Sequence, residues 1–262
     1  MNLILLNSTE SFQRLEAGTP AAKHLIGVLK ARVGTTFWCG AENAARGLAT
    51  IAQIDADGSL AFAVDWETDV PAEAFSPPIR LLVGLSRPQT MKKVFATASE
   101  IGCREIAVFV SQNGDPAYAQ SSLWRDGNDE IRAILIKSAE QTCTTFLPQV
   151  RLFPSLEAAC AELAPEAGTG IALDVYARNA SLADVAFPAL PSGVLLTLAV
   201  GSERGWTEAE RATLRQAGFA FAHLGGRVLR VETAVSVALA VAAARSGCWR
   251  EHRTLQAPGD TQ

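Results

Sequence analysis

Basic excess, histidine, paired cysteines and long apolar runs are all scarce in this chain, and each scarcity closes off a class of protein. Lys and Arg number 23 against 27 Asp and Glu, so the formal net charge is -4 at pH 7. That is the wrong sign for a protein that coats nucleic acid through a general basic surface, and any polyanion contact has to be local. Three histidines (His24, His223, His252) and five cysteines (Cys39, Cys103, Cys143, Cys160, Cys248) without C-x-x-C spacing offer few ligands, so no metal site is expected. The odd cysteine count reads as reduced thiols in a cytoplasmic protein. No run reaches the ~18–20 apolar residues of a membrane span, and the longest, residues 234–244, is Ala-rich and suits a buried helix. No basic segment leads into an apolar stretch at the N-terminus, so no signal peptide is expected.

Several catalytic motifs are missing as well. There is no G-x-G-x-x-G after a strand and no P-loop. The nearest approach to a hydrolase elbow, Gly84-Leu85-Ser86-Arg87-Pro88, has proline where the second glycine belongs, so Ser86 is expected to cap a helix rather than act as a nucleophile. Internal repeats and low-complexity tracts are also lacking.

What is present is a core-forming composition, 48% hydrophobic and 19% charged. Residues 1–75 read as a β-rich domain. Runs at 34–38, 47–54 and 59–64 are separated by turn signals at Asn43 and Asp55-Ala56-Asp57-Gly58, which predicts a small barrel or sandwich. A short helix is expected over 20–32, and the proline-rich stretch 71–78 reads as a linker. From residue 79 strands and helices alternate, predicting a mostly parallel sheet covered on both faces over 76–250. Met91, Val94, Phe95, Ala98 and Ile101 recur at helical spacing between Pro88 and Gly102. Ser155 is placed to cap a helix, and Thr207-Glu208-Ala209-Glu210 has the form of a capping box. The polar tail, 251–262, is expected to be loose.

In open α/β sheets ligands bind beyond the carboxyl ends of strands. Two late strands here run into glycine-rich turns, Val200-Gly201-Ser202-Glu203-Arg204-Gly205-Trp206 and Leu224-Gly225-Gly226-Arg227-Val228-Leu229-Arg230-Val231-Glu232-Thr233-Ala234. Glycine lets main-chain N–H and C=O groups approach a flat ligand closely. The turns could also simply end their strands, and His223 reads as structural.

The second turn, Leu224-Gly225 with Arg227-Val228-Leu229-Arg230 and Glu232-Thr233-Ala234, resembles the signature of the 16S ribosomal RNA uracil-N3 methyltransferases, members of the α/β-knot (SPOUT) superfamily. Val200-Gly201-Ser202-Glu203-Arg204-Gly205, Ala139-Glu140-Gln141 with Pro148, and His24-Leu25 through Val28-Leu29-Lys30 to Gly34 resemble further elements of that family in the same order. The resemblance implies a PUA-like β-barrel that helps hold RNA, followed by a trefoil-knotted α/β domain that binds S-adenosyl-L-methionine and forms a homodimer. It implies cofactor contacts at Leu173, Val200, Gly201, Ser202, Glu203, Gly205, Leu224, Gly225, Val228, Leu229, Arg230 and Thr233. Arg230, Arg227 and Glu232 are then the candidates for chemistry on a uracil of 16S ribosomal RNA, with no DNA or membrane partner.

The chain departs from the family where Ser202 and Arg204 enter the first turn, and where Thr97, Thr144, Phe146 and Ser111-Gln112-Asn113 replace basic or charged positions. A different RNA target, or an RNA-binding module without activity, stays open on those grounds.

Overall fold

The computed structural model describes residues 2–67, 76–125, 129–166, 168–177, 180–187, 190 and 193–249. These form two compact units. The first draws its described residues from Met1–Ala74 and Ile136–Leu147, the second from Phe75–Leu135 and Pro148–His252. Most of the expected linker and all of the expected tail, 251–262, lie outside the described residues.

The first unit is a five-stranded sheet of β1 (Ile4–Leu6), β2 (Phe12–Leu15), β3 (Thr36–Ala41), β4 (Arg46–Ile54) and β5 (Leu60–Trp66), in the order β1-β3-β4-β5-β2. β1 runs parallel to β3 and the other pairs are antiparallel. Among the described residues β1 and β2 are the sheet's edges, so it forms half a barrel. The three expected strands appear with shifted ends, whereas β1 and β2 are too short to show period-two alternation in sequence. The helix expected over 20–32 is a single turn, α1 (Pro20–Lys23), capped by Thr19 and widening into a π-turn over His24–Val28. One core gathers Leu25, Phe37, Ile51, Leu60 and Phe62, with Phe37 and Phe62 edge to face at 5.3 Å.

Residues 136–147 belong to this unit rather than to the domain expected over 76–250. The reason is main-chain pairing. The N–H groups of Asn2 and Leu3 both donate to the Glu140 carbonyl at 3.0 Å, and Asn43 N–H donates to the Thr145 carbonyl at 2.8 Å. The Asn43 side chain in turn accepts from Leu147 N–H at 2.9 Å. Pairings across about a hundred residues leave no local trace in sequence.

The second unit is a seven-stranded parallel sheet of β6 (Ile79–Gly84), β7 (Glu105–Phe109), β8 (Gln149–Phe153), β9 (Gly170–Leu173), β10 (Ala180–Ser181), β11 (Leu196–Val200) and β12 (Ala220–His223). The order is β10-β12-β9-β11-β6-β7-β8. β7, β9 and β11 are buried along their whole length, as strands covered on both faces must be. On one face α2 (Pro88–Ile101) and α6 (Val231–Arg245) pack together, α6 also lying on β6 and β11. On the other, α4 (Leu156–Leu163) meets α5 (Glu208–Gln216) and lies on β7 and β8. α3 (Asp129–Thr142) joins β7 to β8.

Local signals set the helix ends. Met91, Val94, Phe95 and Ala98 are the buried face of α2, and Gly102 closes it at φ 91°. The Ser155 hydroxyl accepts from Ala158 N–H at 3.2 Å. Ser86, expected as the cap of α2, is instead fully buried and donates to the Gly84 carbonyl at 3.2 Å, and Arg87 occupies the cap position. The strand β6 ends so tightly that the Ser86 hydroxyl is used inside its own turn.

Candidate functional site

Because all seven strands run the same way, the chain leaves them at one edge. A cavity of about 1180 Å³ opens there, lined by residues that follow β6, β9, β11 and β12. Both glycine turns contribute to it, one through Val200–Trp206 and the other through Leu224 and Arg227–Glu232. Size and setting suit a nucleoside-sized ligand at a crossover of an open parallel sheet.

The turn after β11 is fixed from every side. Gly205, at φ 68°, donates its N–H to the Ser202 carbonyl at 2.8 Å. A Cβ on Gly84 would come within 2.4 Å of the Ser202 nitrogen, so the ends of β6 and β11 approach at a distance only glycine permits. Trp206 stacks on Phe109 at 5.6 Å and donates its indole N–H to the Leu173 carbonyl at 2.8 Å. Such a ring pair contributes roughly 0.5–1.5 kcal/mol beyond its buried area. The capping box is present, with Thr207 N–H donating to Glu210 at 2.8 Å and Glu210 N–H to the Thr207 hydroxyl at 3.0 Å. The Glu210 carboxylate, fully buried, also accepts from the Ser111 hydroxyl at 2.9 Å and Gln112 N–H at 3.0 Å. Ser111 and Gln112, a departure from the family pattern, therefore tie the turn after β7 to the start of α5.

The turn after β12 is different. Gly225, at φ 98°, donates its N–H to the His223 Nδ1 at 3.1 Å, and residues 226–229 have no hydrogen-bond partner for their N–H groups among the described residues. Val228 is 80% exposed and Arg227 and Arg230 are exposed. Glu232, in the first turn of α6, accepts from its own backbone N–H and lies 3.4 Å from the Lys93 ammonium. These contacts, with Arg230 nearby, outweigh partial burial and hold its carboxyl below the usual glutamate range.

Between the two turns runs the segment after β9. Asp174 is buried; it accepts from Tyr176 N–H at 2.8 Å and pairs with Arg211 at 2.5 Å. Glu203, on the rim, accepts from Arg87 N–H at 3.1 Å. Six basic side chains line the cavity (Arg87, Lys93, Arg204, Arg211, Arg227, Arg230) against three acidic ones (Asp174, Glu203, Glu232). Lys93 and Arg211 are paired, while Arg204 and Arg227 make no ion pair with a described residue. A chain of net charge -4 thus concentrates positive charge at this edge.

Of the residues named from sequence, Leu173, Val200, Gly201, Ser202, Glu203, Gly205, Leu224, Val228, Leu229 and Arg230 line the cavity, as do Arg227 and Glu232. Gly225 and Thr233 do not. Thr233 is exposed on α6, and Gly225 shapes the turn through its backbone. Sequence reading missed Arg87, Lys93, Tyr118, Asp174, Tyr176 and Arg211, which also line the cavity. The rule that ligands sit beyond carboxyl strand ends, applied to β6 and β9 as well as the glycine turns, would have found Arg87 and Asp174. No group of three or more His, Cys, Asp and Glu able to hold a metal occurs among the described residues.

A parallel sheet with a cation-lined cavity at the carboxyl ends of its crossing strands suits a protein that handles nucleotides. The family model for the RNA methyltransferase domain matches residues 74–243, and the chain belongs to that family. It is 30% identical over 238 residues to ribosomal RNA small subunit methyltransferase E of Treponema pallidum (strain Nichols), covering 90% of this chain and 86% of that protein. Ribosomal RNA small subunit methyltransferase E 1 of Borreliella burgdorferi is 24% identical over 245 residues, covering 94% and 98%. In fold, the chain matches the crystal structure of a ribosomal RNA small subunit methyltransferase E from Neisseria gonorrhoeae bound to S-adenosyl methionine. The TM-score is 0.73 at 21% identity, over 93% of this chain and 97% of that one.

Proposed function

We propose that this protein transfers a methyl group from S-adenosylmethionine to N3 of a uracil in small-subunit ribosomal RNA. The observation that carries this reading is that the two glycine turns line one cavity with Arg230 beside them. Family membership and the function named for the Treponema pallidum relative support it. The main-chain groups of residues 226–229, which have no partner among the described residues, the apolar side chains of Leu173, Leu224, Val228 and Leu229, and the fixed turn Gly201–Gly205 suit a nucleoside with a flat base. Those residues, with Glu203 on the rim, would hold the cofactor. When bound, it supplies a methyl group on a positively charged sulfur.

The chain's own residues then have two tasks. They hold the uracil nitrogen in line with that methyl group, since alignment supplies much of the acceleration in such transfers. They also stabilise the charge that develops as N3 loses its proton. Arg230, with Arg227 in the same turn, would bond the uracil oxygens. Arginine stays protonated and cannot take the proton. Glu232, water or hydroxide would take the proton; the backbone N–H and Lys93 hold the Glu232 carboxyl below the usual glutamate range.

The finer architecture implied by the family belongs to the same proposal. α6 lies on β6 and β11, although β12, which precedes it, is placed beyond β9. The chain therefore crosses the carboxyl edge before α6, and we assign that crossing to the trefoil knot. The half-barrel of the first unit is assigned to a PUA-like RNA-holding module, and the molecule to a cytoplasmic homodimer.

The test uses purified protein, labelled S-adenosylmethionine and separated RNA pools. Label on uracil N3 of small-subunit RNA is expected. Label confined to transfer RNA or the large subunit would replace the substrate, and the cation Arg204 on the cavity lining favours that second reading over loss of activity.

A further inference from the structure

Tyr176 has no part in the chemistry described so far, yet its placement is unusual. The ring is 78% exposed, and of the large hydrophobic side chains exposed among the described residues, Tyr176 and Val228 line the cavity. An aromatic left in water at a cavity mouth forgoes the burial that normally holds it in place. Here the segment is fixed by other means. Asp174 is buried, donates its N–H to the Ala222 carbonyl at 2.9 Å, and accepts from Tyr176 N–H at 2.8 Å. The second Asp174 oxygen holds Arg211, whose guanidinium carbon lies 5.9 Å from the centre of the Tyr176 ring. That distance is within range of a cation–π contact. The ring is thus positioned by its backbone and by a paired arginine, and much of it stays open to solvent.

A held, solvent-facing aromatic on a cavity also lined by Arg204 and Arg227, which make no ion pair with a described residue, is what single-stranded RNA recognition uses: a ring for a base to stack on, and charge for the phosphates. We propose that Tyr176 is a stacking residue for an unstacked base of the RNA substrate, with Arg204 and Arg227 placed to meet the adjoining phosphates. This rests on the methyltransferase reading above and adds how the substrate is gripped. RNA rather than cofactor is assigned as the partner because the ring is so widely exposed, while the main-chain groups suited to the cofactor lie in the two glycine turns.

The test compares Tyr176→Ala, Tyr176→Phe and Tyr176→Trp at one salt concentration. Tyr176→Ala is expected to raise the KM for isolated small ribosomal subunits, and the Kd for a short uridine-containing RNA, by on the order of tenfold or more. Affinity for S-adenosylhomocysteine, measured by calorimetry, stays within about twofold. Tyr176→Phe and Tyr176→Trp retain near-native values because both keep a stacking face. Unchanged RNA affinity in Tyr176→Ala would overturn the proposal. So would equal losses in Tyr176→Phe, which would assign the hydroxyl instead, or a parallel loss of S-adenosylhomocysteine affinity, which would assign the ring to the cofactor. Wild-type protein that labels no small-subunit RNA would sink the functional reading instead, and the uridine oligonucleotide would still decide the stacking.

Discussion

The two glycine turns look alike in sequence and differ sharply in the folded chain. The turn after β11 is locked by a cross-turn hydrogen bond, a glycine contact to Gly84, the Trp206 indole and the buried Glu210 carboxylate. The turn after β12 is held at its start by a bond to His223, carries exposed side chains, and has N–H groups without a partner among the described residues. One turn is tied on several sides, and the other has N–H groups without a partner among the described residues. On the proposed function the two turns would divide the labour, the rigid one providing a seat and the open one supplying recognition and charge.

The sharpest way to break that division is Arg230→Ala. If the open turn supplies the charge that matters in the transition state, methyl transfer falls about a hundredfold or more, with cofactor affinity changed only a few fold. Single-turnover rates beside calorimetric titration check this; undiminished transfer would remove Arg230 from the chemistry.

Gly84→Ala attacks the rigid turn. The added Cβ would sit 2.4 Å from the Ser202 nitrogen, a backbone atom with nowhere to go. Destabilisation of about 1–3 kcal/mol is expected, seen as a lower thermal midpoint together with weakened cofactor binding. An unshifted midpoint would mean that the two strand ends separate easily and that the turn is not rigid.

Gly225→Val probes the open turn through its backbone alone. A Cβ there meets nothing within 4 Å, but the φ of 98° is one that β-branched residues almost never adopt. Cofactor affinity should fall while thermal stability changes less than in Gly84→Ala. If Gly225→Asn, which tolerates positive φ better, fails equally, side-chain bulk rather than strain is responsible.

The smallest effect concerns Glu232. Its folded pKa lies below the ordinary glutamate value, so its contribution to stability is present above the unfolded pKa and is lost as pH falls through the folded one. Glu232→Gln should therefore lower stability slightly at neutral pH and leave it unchanged at acid pH, where the wild-type carboxyl is already protonated, so that stability varies less steeply with pH across that window. A large loss of methyl transfer at neutral pH would instead make Glu232 a participant in the chemistry.

Much of the second unit was legible because its signals are local. The period of Met91, Val94, Phe95 and Ala98, the Ser155 cap, the Thr207–Glu210 box and the unbroken apolar strands each act within a turn or two of chain. β10 escaped notice because two residues carry no period. The first unit was less legible: β1 and β2 are short edges, and residues 136–147 join it through hydrogen bonds to Asn2, Leu3 and Asn43. At the site, the glycine turns and their arginines were visible in sequence. Arg87, Asp174, Tyr176 and Arg211 were not, since each is an ordinary residue until the strand order places it at the cavity.

By itself, then, the sequence determined the alternation of strands and helices, the two turns and their cations, because propensity, capping and hydrophobic period are properties of neighbours along the chain. Only the tertiary structure decided that β11 lies between β9 and β6, that both turns open on one cavity, and that one is rigid and the other open. Strand order and close contact depend on burial and pairing between distant segments, and no local pattern encodes which distant segment a strand will meet.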